Sequence, residues 1–263
     1  WDMSKSREMD TLADSAAPER IAEMAKRSGA RSVAFTYNDP VIFLEYAADT
    51  AKACHALNIK TVAVTAAYIA EGAREAFFEH IDAANVDLKA FSEDFYWKLT
   101  GGHLKDVLDT LKYLKQQTSV WFELTTLVIP GKNDSDDELR EMASWVIHEL
   151  GPDVPMHFTA FHPDFKMRDI PSTPADSLMR AREIALNAGI RFAYTGNIID
   201  SRTNSTWCPE CGHLLIERSS YRLGKWGLTA NGHCEKCTEP VPGVFEARPG
   251  TWGARRVPVR MSA

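Results

Sequence analysis

Strand-like and helix-like segments alternate from residue 32 to residue 198, and this alternation limits the possible folds more than any other feature of the chain. "RSVAFTYN" reads as a buried strand over 32–38, and "PVIFLEYAADTAKACHALN" follows with Pro40 at a helix start and a broad apolar face. The pattern then repeats as strand 60–68, helix 71–81, short strand 85–91 and helix 104–117, with Val107, Leu108, Leu111 and Leu114 on one side of that helix. It continues as strand 119–130, helix 134–151 with an acidic capping start and Gly151 as its stop, strand 155–163, helix 174–189 and strand 190–198. Another helix over 7–29 comes before the first strand, with Ile21, Met24 and Ala25 at helical spacing and Gly29 at its end. Consecutive strands joined through helices pair in parallel with right-handed crossovers, so an α/β fold with six sheet strands is expected.

A parallel sheet of this kind is either open and doubly wound or closed into a barrel. No G-x-G-x-x-G follows the first strand, which removes the main support for a dinucleotide fold. Polar residues gather instead where strands end: Asn38 and Asp39, Thr65, Asp87 and Lys89, Thr125 and Thr126, His162, and Asn197. In a β/α barrel these ends share one mouth, where the active site lies. A full or partial β/α barrel over residues 1–200 is therefore expected, with a small module over 201–263. Each polar residue also has an ordinary structural reading. Asn-Asp-Pro makes a turn. Asp87 and Lys89, two apart on a strand face, can pair with neighbouring strands, and leaving them unpaired would cost several kcal/mol per ion. His162 can be a satisfied structural histidine.

The C-terminal module is defined by C-x2-C-x22-C-x2-C at Cys208, Cys211, Cys234 and Cys237. Thiolates at i and i+3 of a tight turn reach one tetrahedral ion, with Zn–S near ~2.3 Å, and Pro209 and Gly212 suit such a knuckle. Structural zinc is the expected occupant; an iron–sulfur centre and free thiols are the alternatives. His213 and His233 flank the knuckles, but four thiolates already complete the shell. A module this small has little core, so metal binding should supply much of its folding free energy. Cys54 is a lone thiol in a helix. Paired C-x-x-C knuckles without a secretory signal point to a cytoplasmic protein, and no apolar run reaches the ~20 residues of a membrane span. Residues 1–200 are acidic and residues 201–263 basic within an overall charge of −6, so nucleic-acid binding is disfavoured everywhere except the tail.

Four stretches, "AFTYNDPVIFLEYAADTAKACHALNIKTVAVTAAYI", "VDLKAFSEDFYWKLTGGHLKDVLDTLKYL", "LVIPGKNDSDDELREMASWV" and "HFTAFHPDFKM", together resemble radical S-adenosylmethionine (radical SAM) enzymes. Within these they are similar to the AmmeMemoRadiSam branch, akin to the activating enzymes of pyruvate formate-lyase. In that family "WDxS", here Trp1–Ser4, directly follows a loop with C-x-x-x-C-x-x-C. The resemblance therefore implies a fragment lacking that loop and the first barrel strand. For the intact parent it implies a [4Fe–4S] cluster on three thiolates, with S-adenosylmethionine on the fourth iron. Reductive cleavage then gives a 5′-deoxyadenosyl radical, which takes a hydrogen atom from the substrate. By the same resemblance Asn38 and Asp39 take the place of the glycine-rich acidic motif, with Asp39 accepting from the cofactor's ammonium. Asp87 and Lys89 face the ribose, carboxylate or substrate, and His162 closes the adenosyl side. Ala66 and Ala67 stand where the family commonly has Asn-Gly. The implied partners are an electron donor, a protein or small-molecule substrate, and a Memo-like protein. The alternative is a binding protein that acts through its basic zinc-ribbon tail, with the barrel as scaffold.

Overall fold

All six strands expected between 32 and 198 form, and they pair in parallel in chain order. The computed structural model describes residues 16–250 and 258–259. The strands are β1 (Ser32–Phe35), β2 (Lys60–Thr65), β3 (Ala83–Asp87), β4 (Trp121–Val128), β5 (Met156–Ala160) and β6 (Ala193–Gly196), in the sheet order β1-β2-β3-β4-β5-β6. The helices between them are Leu44–Ala56, Glu71–Phe78, Leu104–Gln117, Asp136–Leu150 and Ala175–Asn187, and Pro18–Arg27 precedes β1. Residues 7–15 of the helix expected over 7–29 lie outside the described residues. No β6–β1 pairing exists among the described residues, so the full barrel allowed by the sequence is not formed and the sheet is open. Six strands fall short of the eight that close a barrel of this type.

The strands are shorter than their apolar patterns suggest, and three of them end alike. Tyr37, Ala67 and Asn197 follow β1, β2 and β6 at φ 72, 53 and 58. A non-glycine residue in the left-handed region cannot continue an extended ladder, so the chain turns away at these points. The helix Leu104–Gln117 buries Val107, Thr110, Leu111 and Leu114. That is the i, i+3, i+4, i+7 stripe; Leu108, expected on the same side, falls off it and is only half-buried.

The chain divides into two compact units. One takes in the described parts of Trp1–Asp87, Gly102–Phe122 and Val257–Ala263, the other those of Leu88–Gly101 and Glu123–Arg256. Within the second unit the C-terminal module shares its core with β6. Phe192 and Tyr194 pack with Cys208, Leu215, Ile216, Leu228 and Val241. Arg191 donates to Asp153 at 2.9 Å and to Glu239 at 2.5 Å. The module carries a second, antiparallel sheet of β7 (Thr206–Trp207), β8 (Leu214–Ser219) and β9 (Arg222–Trp226).

In the first unit, Asp82 ties together the start of the sheet. Its carboxylate accepts from Lys60 Nζ at 2.7 Å, from the Thr61 N–H at 2.8 Å and from His55 Nε2 at 2.8 Å. Burial raises its pKa, but the bonds from Lys60, Thr61 and His55 outweigh that and hold it at about 2. A carboxyl group with a depressed folded pKa stabilises the fold above its unfolded pKa, and that stability is lost as pH falls through the folded value. The expected contribution is about 2 kcal/mol, present above pH ~4 and lost between pH ~4 and ~2. Urea midpoints of Asp82→Asn and the parent chain should therefore differ at pH 6 and converge towards pH 2; equal midpoints at pH 6 would contradict this.

In the second unit, Ser135 caps the helix Asp136–Leu150 by accepting from the Glu138 N–H, and three acidic residues occupy the first turn. Glu138 does not close the capping box onto its own helix. Its carboxylate accepts from the Phe91 N–H at 2.7 Å, and burial pushes its pKa up.

Candidate functional site

Asp39 is where the first strand end is built. It caps the short 3-10 turn Pro40–Phe43, with Oδ1 accepting from the Val41 N–H at 3.1 Å. The same oxygen accepts from Thr65 Oγ1 at 2.8 Å, and Oδ2 accepts from the Ala66 N–H at 2.8 Å. Thr65 is buried, and its hydroxyl in turn accepts from the Ala67 N–H at 3.0 Å. The Asn-Asp-Pro turn and the end of β2 are thus one hydrogen-bonded corner. Two lone pairs on Oδ1 and one on Oδ2 are used, which leaves Oδ2 one acceptor direction. Asn38 is half-buried beside this corner. Ala67, fully buried with φ 53, takes the left-handed conformation that a glycine would adopt at the least cost. Asp87, half-buried, is the last residue of β3.

Lys89 lies past the end of β3, so the expectation that it shares a regular strand with Asp87 is corrected. The hydrogen-bonded ladder stops at Asp87, but burial still alternates through Ala90, and Lys89 keeps the phase of the strand. Its backbone is held on both sides: the N–H donates to Tyr96 Oη at 3.1 Å, and the carbonyl accepts from Asn133 Nδ2 at 2.6 Å. Asn133 is fully buried and also donates to the Leu127 carbonyl at 2.9 Å while its Oδ1 accepts from the Ile129 N–H at 2.7 Å. Sequence reasoning missed Asn133, although its place in "PGKND" marks it as a turn residue. His162 follows β5 and is exposed. Thr126 donates to the Leu88 carbonyl at 2.7 Å, and Asn197 to the Ala160 carbonyl at 3.0 Å. These residues fasten strand ends to their neighbours.

The four tail cysteines come together. Their sulfurs lie within 4.8 Å of one another, with Cys208–Cys237 at 3.5 Å and Cys211–Cys234 at 3.8 Å. Four thiolates around one ion at ~2.3 Å would stand ~3.8 Å apart, so the set fits a tetrahedral metal. The two knuckles are built alike. The Gly212 N–H donates to the Cys208 carbonyl and the Thr238 N–H to the Cys234 carbonyl, both at 2.9 Å. Gly212 and Thr238 sit at φ 66 and 65. Burial works to raise the Cys234 thiol, but backbone N–H groups of Cys237 and Lys236 aimed at its sulfur draw it down to about 7. His213 pairs with Glu235 at 3.0 Å and His233 with the Thr238 carbonyl at 3.0 Å, so both are engaged away from the sulfurs. Cys54 is fully buried, and burial pushes its thiol up.

Residues 4–145 match the radical SAM superfamily, and the chain belongs to it. An uncharacterized protein of Methanocaldococcus jannaschii is 35% identical over 225 residues, covering 85% of this chain and 66% of that protein. The 4-hydroxyphenylacetate decarboxylase activating enzyme of Clostridioides difficile is 24% identical over 181 residues, covering 63% of this chain and 55% of the enzyme. The chain thus spans about half to two thirds of the length of these relatives. A domain of the pyruvate-formate lyase-activating enzyme from Bacteroides vulgatus superposes with a TM-score of 0.55 at 14% identity, covering 63% of this chain and 99% of that domain. At that identity the likeness is one of fold. Among the described residues no helix is long and apolar enough to cross a membrane.

Proposed function

We propose that this chain is the cofactor- and substrate-orienting body of a radical SAM enzyme of the activating-enzyme kind, within the AmmeMemoRadiSam branch. The observation that carries the reading is the match of residues 4–145 to the superfamily, joined to the Asp39 corner at the end of the first strand. The cysteines present do not fit the family's cluster. No C-x-x-x-C-x-x-C occurs in the 263 residues. Four thiols are committed to the tail, and the fifth is buried in a helix. The three cluster ligands are therefore proposed to come from outside this stretch. Bound there, cluster and S-adenosylmethionine would supply the radical chemistry.

This chain's own contribution is orientation. Asn38, Asp39, Asp87, Lys89 and His162 are proposed to face the cofactor and substrate, with the remaining acceptor direction of Asp39 Oδ2 suited to an ammonium group. By likeness to the Clostridioides difficile activating enzyme, the substrate is proposed to be another protein; the reductive chemistry of the radical SAM reading implies an electron donor as second partner. Zinc is proposed in the tail, where a closed four-thiolate shell is structural rather than catalytic. Anaerobic reconstitution with iron and sulfide tests the division of labour. The 263 residues should yield no cubane EPR signal that responds to S-adenosylmethionine, whereas the complete gene product should yield one. A responsive signal from the 263 residues alone would refute the proposed origin of the ligands.

A further inference from the structure

The exposed side of β4–β6 carries a cavity whose lining includes Tyr194 and Asn197 and which the sites described so far do not use. Along β4, Phe122, Leu124, Thr126 and Val128 are buried, which turns Glu123 to the opposite face. Phase along β5 and β6 puts His157 and Tyr194 on that same face. Together with Arg218 of β8 and Tyr221 of the β8–β9 turn, these residues line a cavity of about 520 Å³, within the range of small-molecule sites.

Its polar groups are arranged rather than scattered. His157 Nε2 and Glu123 Oε2 are 2.6 Å apart, and the imidazole stacks on Tyr194 at 4.9 Å and 22°. This leaves Nδ1 of His157 without a partner among the described residues. Tyr194 Oη and the Arg218 guanidinium both bond Thr206 Oγ1, at 2.9 and 2.5 Å. The guanidinium lies 5.7 Å from the Tyr194 ring centroid. Arg218 is half-buried and has no carboxylate partner among the described residues, although it presents a fork suited to two oxygens. A half-buried guanidinium held in place by a hydroxyl and a ring, beside a tethered histidine, fits an anion better than a neutral or cationic ligand.

We propose that this cavity binds a small organic anion. Its carboxylate or phosphate lies on Arg218, its body lies against Tyr194 and Tyr221, and His157, positioned by Glu123, supplies a second polar contact. The cavity lies wholly within one compact unit and does not depend on the radical SAM reading.

Titration of the full chain with benzoate, phenyl phosphate and neutral benzamide tests this, read by the His157 Cε1–H resonance and by calorimetry. One or both anions should saturate and move the His157 resonance, with benzamide at least tenfold weaker; which anion binds tighter identifies the headgroup. Arg218→Gln should weaken the anion at least tenfold, and Arg218→Lys should restore part of the loss. Thermal melting of both variants checks that they fold, and the Lys variant carries the comparison if the Gln variant melts lower. Absence of saturation by either anion, equal binding of benzamide, or parent-like binding by a folded Arg218→Gln chain would each overturn the proposal.

Discussion

Cys234→Ser should release the tail metal and unfold the C-terminal module, leaving it open to protease. Three thiolates around a site built for four lose the closed shell, and structural zinc contributes on the order of 10 kcal/mol to domains of this size. Cys234 is fully buried, and its sulfur lies within 4.8 Å of each of the other three cysteine sulfurs. Loss should not stop at the knuckles. Phe192 and Tyr194 of β6 share the module's core, so β6 should lose protection in hydrogen exchange while β2 and its neighbour β1 keep theirs. Metal analysis should give one zinc per parent chain and none in the variant. A variant that keeps its zinc, or a tail that stays resistant after complete metal removal, would contradict a structural site. Iron in place of zinc would indicate a redox centre instead.

Asp39→Ala should destabilise the chain by about 2–4 kcal/mol, a large effect for a half-buried turn residue. The substitution removes the acceptor of three hydrogen bonds, and it strands the buried Thr65 hydroxyl and the Ala66 N–H at the end of β2. Buried donors left without partners carry most of that cost. Asp39→Asn keeps the shape but replaces the carboxylate and should cost less. Denaturant midpoints with unchanged slope would report the change. An Ala variant as stable as the parent would mean that the corner does not hold the first two strands. Under the proposed function the same variant should also weaken S-adenosylmethionine binding by the intact enzyme.

Local signals were enough for part of this structure. The six strands were legible because each is a short apolar run between helix patterns, and the metal set because C-x2-C knuckles bring their own ligands together. Strand ends were less legible. Their apolar runs continue past Phe35 and Thr65, while the left-handed residues Tyr37 and Ala67 that end them carry no glycine to announce a turn. The Asp39 corner was readable only as a turn, since its bonds to Thr65 and Ala66 cross 26 and 27 residues. Glu123 and His157 were passed over because each is a single polar residue in an apolar strand; only the register Thr125↔His157 brings β5 beside β4 and the pair into contact. The boundary at 200 follows the composition, but Phe192 and Tyr194 tie the two sides together in space.

The most direct test of membership in a working radical SAM enzyme is the fate of S-adenosylmethionine under reduction. The complete gene product, purified without oxygen and reduced with dithionite, should convert S-adenosylmethionine to 5′-deoxyadenosine and methionine, measured by liquid chromatography. The 263 residues alone should give none. A complete product that carries a reducible [4Fe–4S] cluster and binds S-adenosylmethionine, yet forms no 5′-deoxyadenosine above the rate of a cluster-free control, would contradict the proposed function.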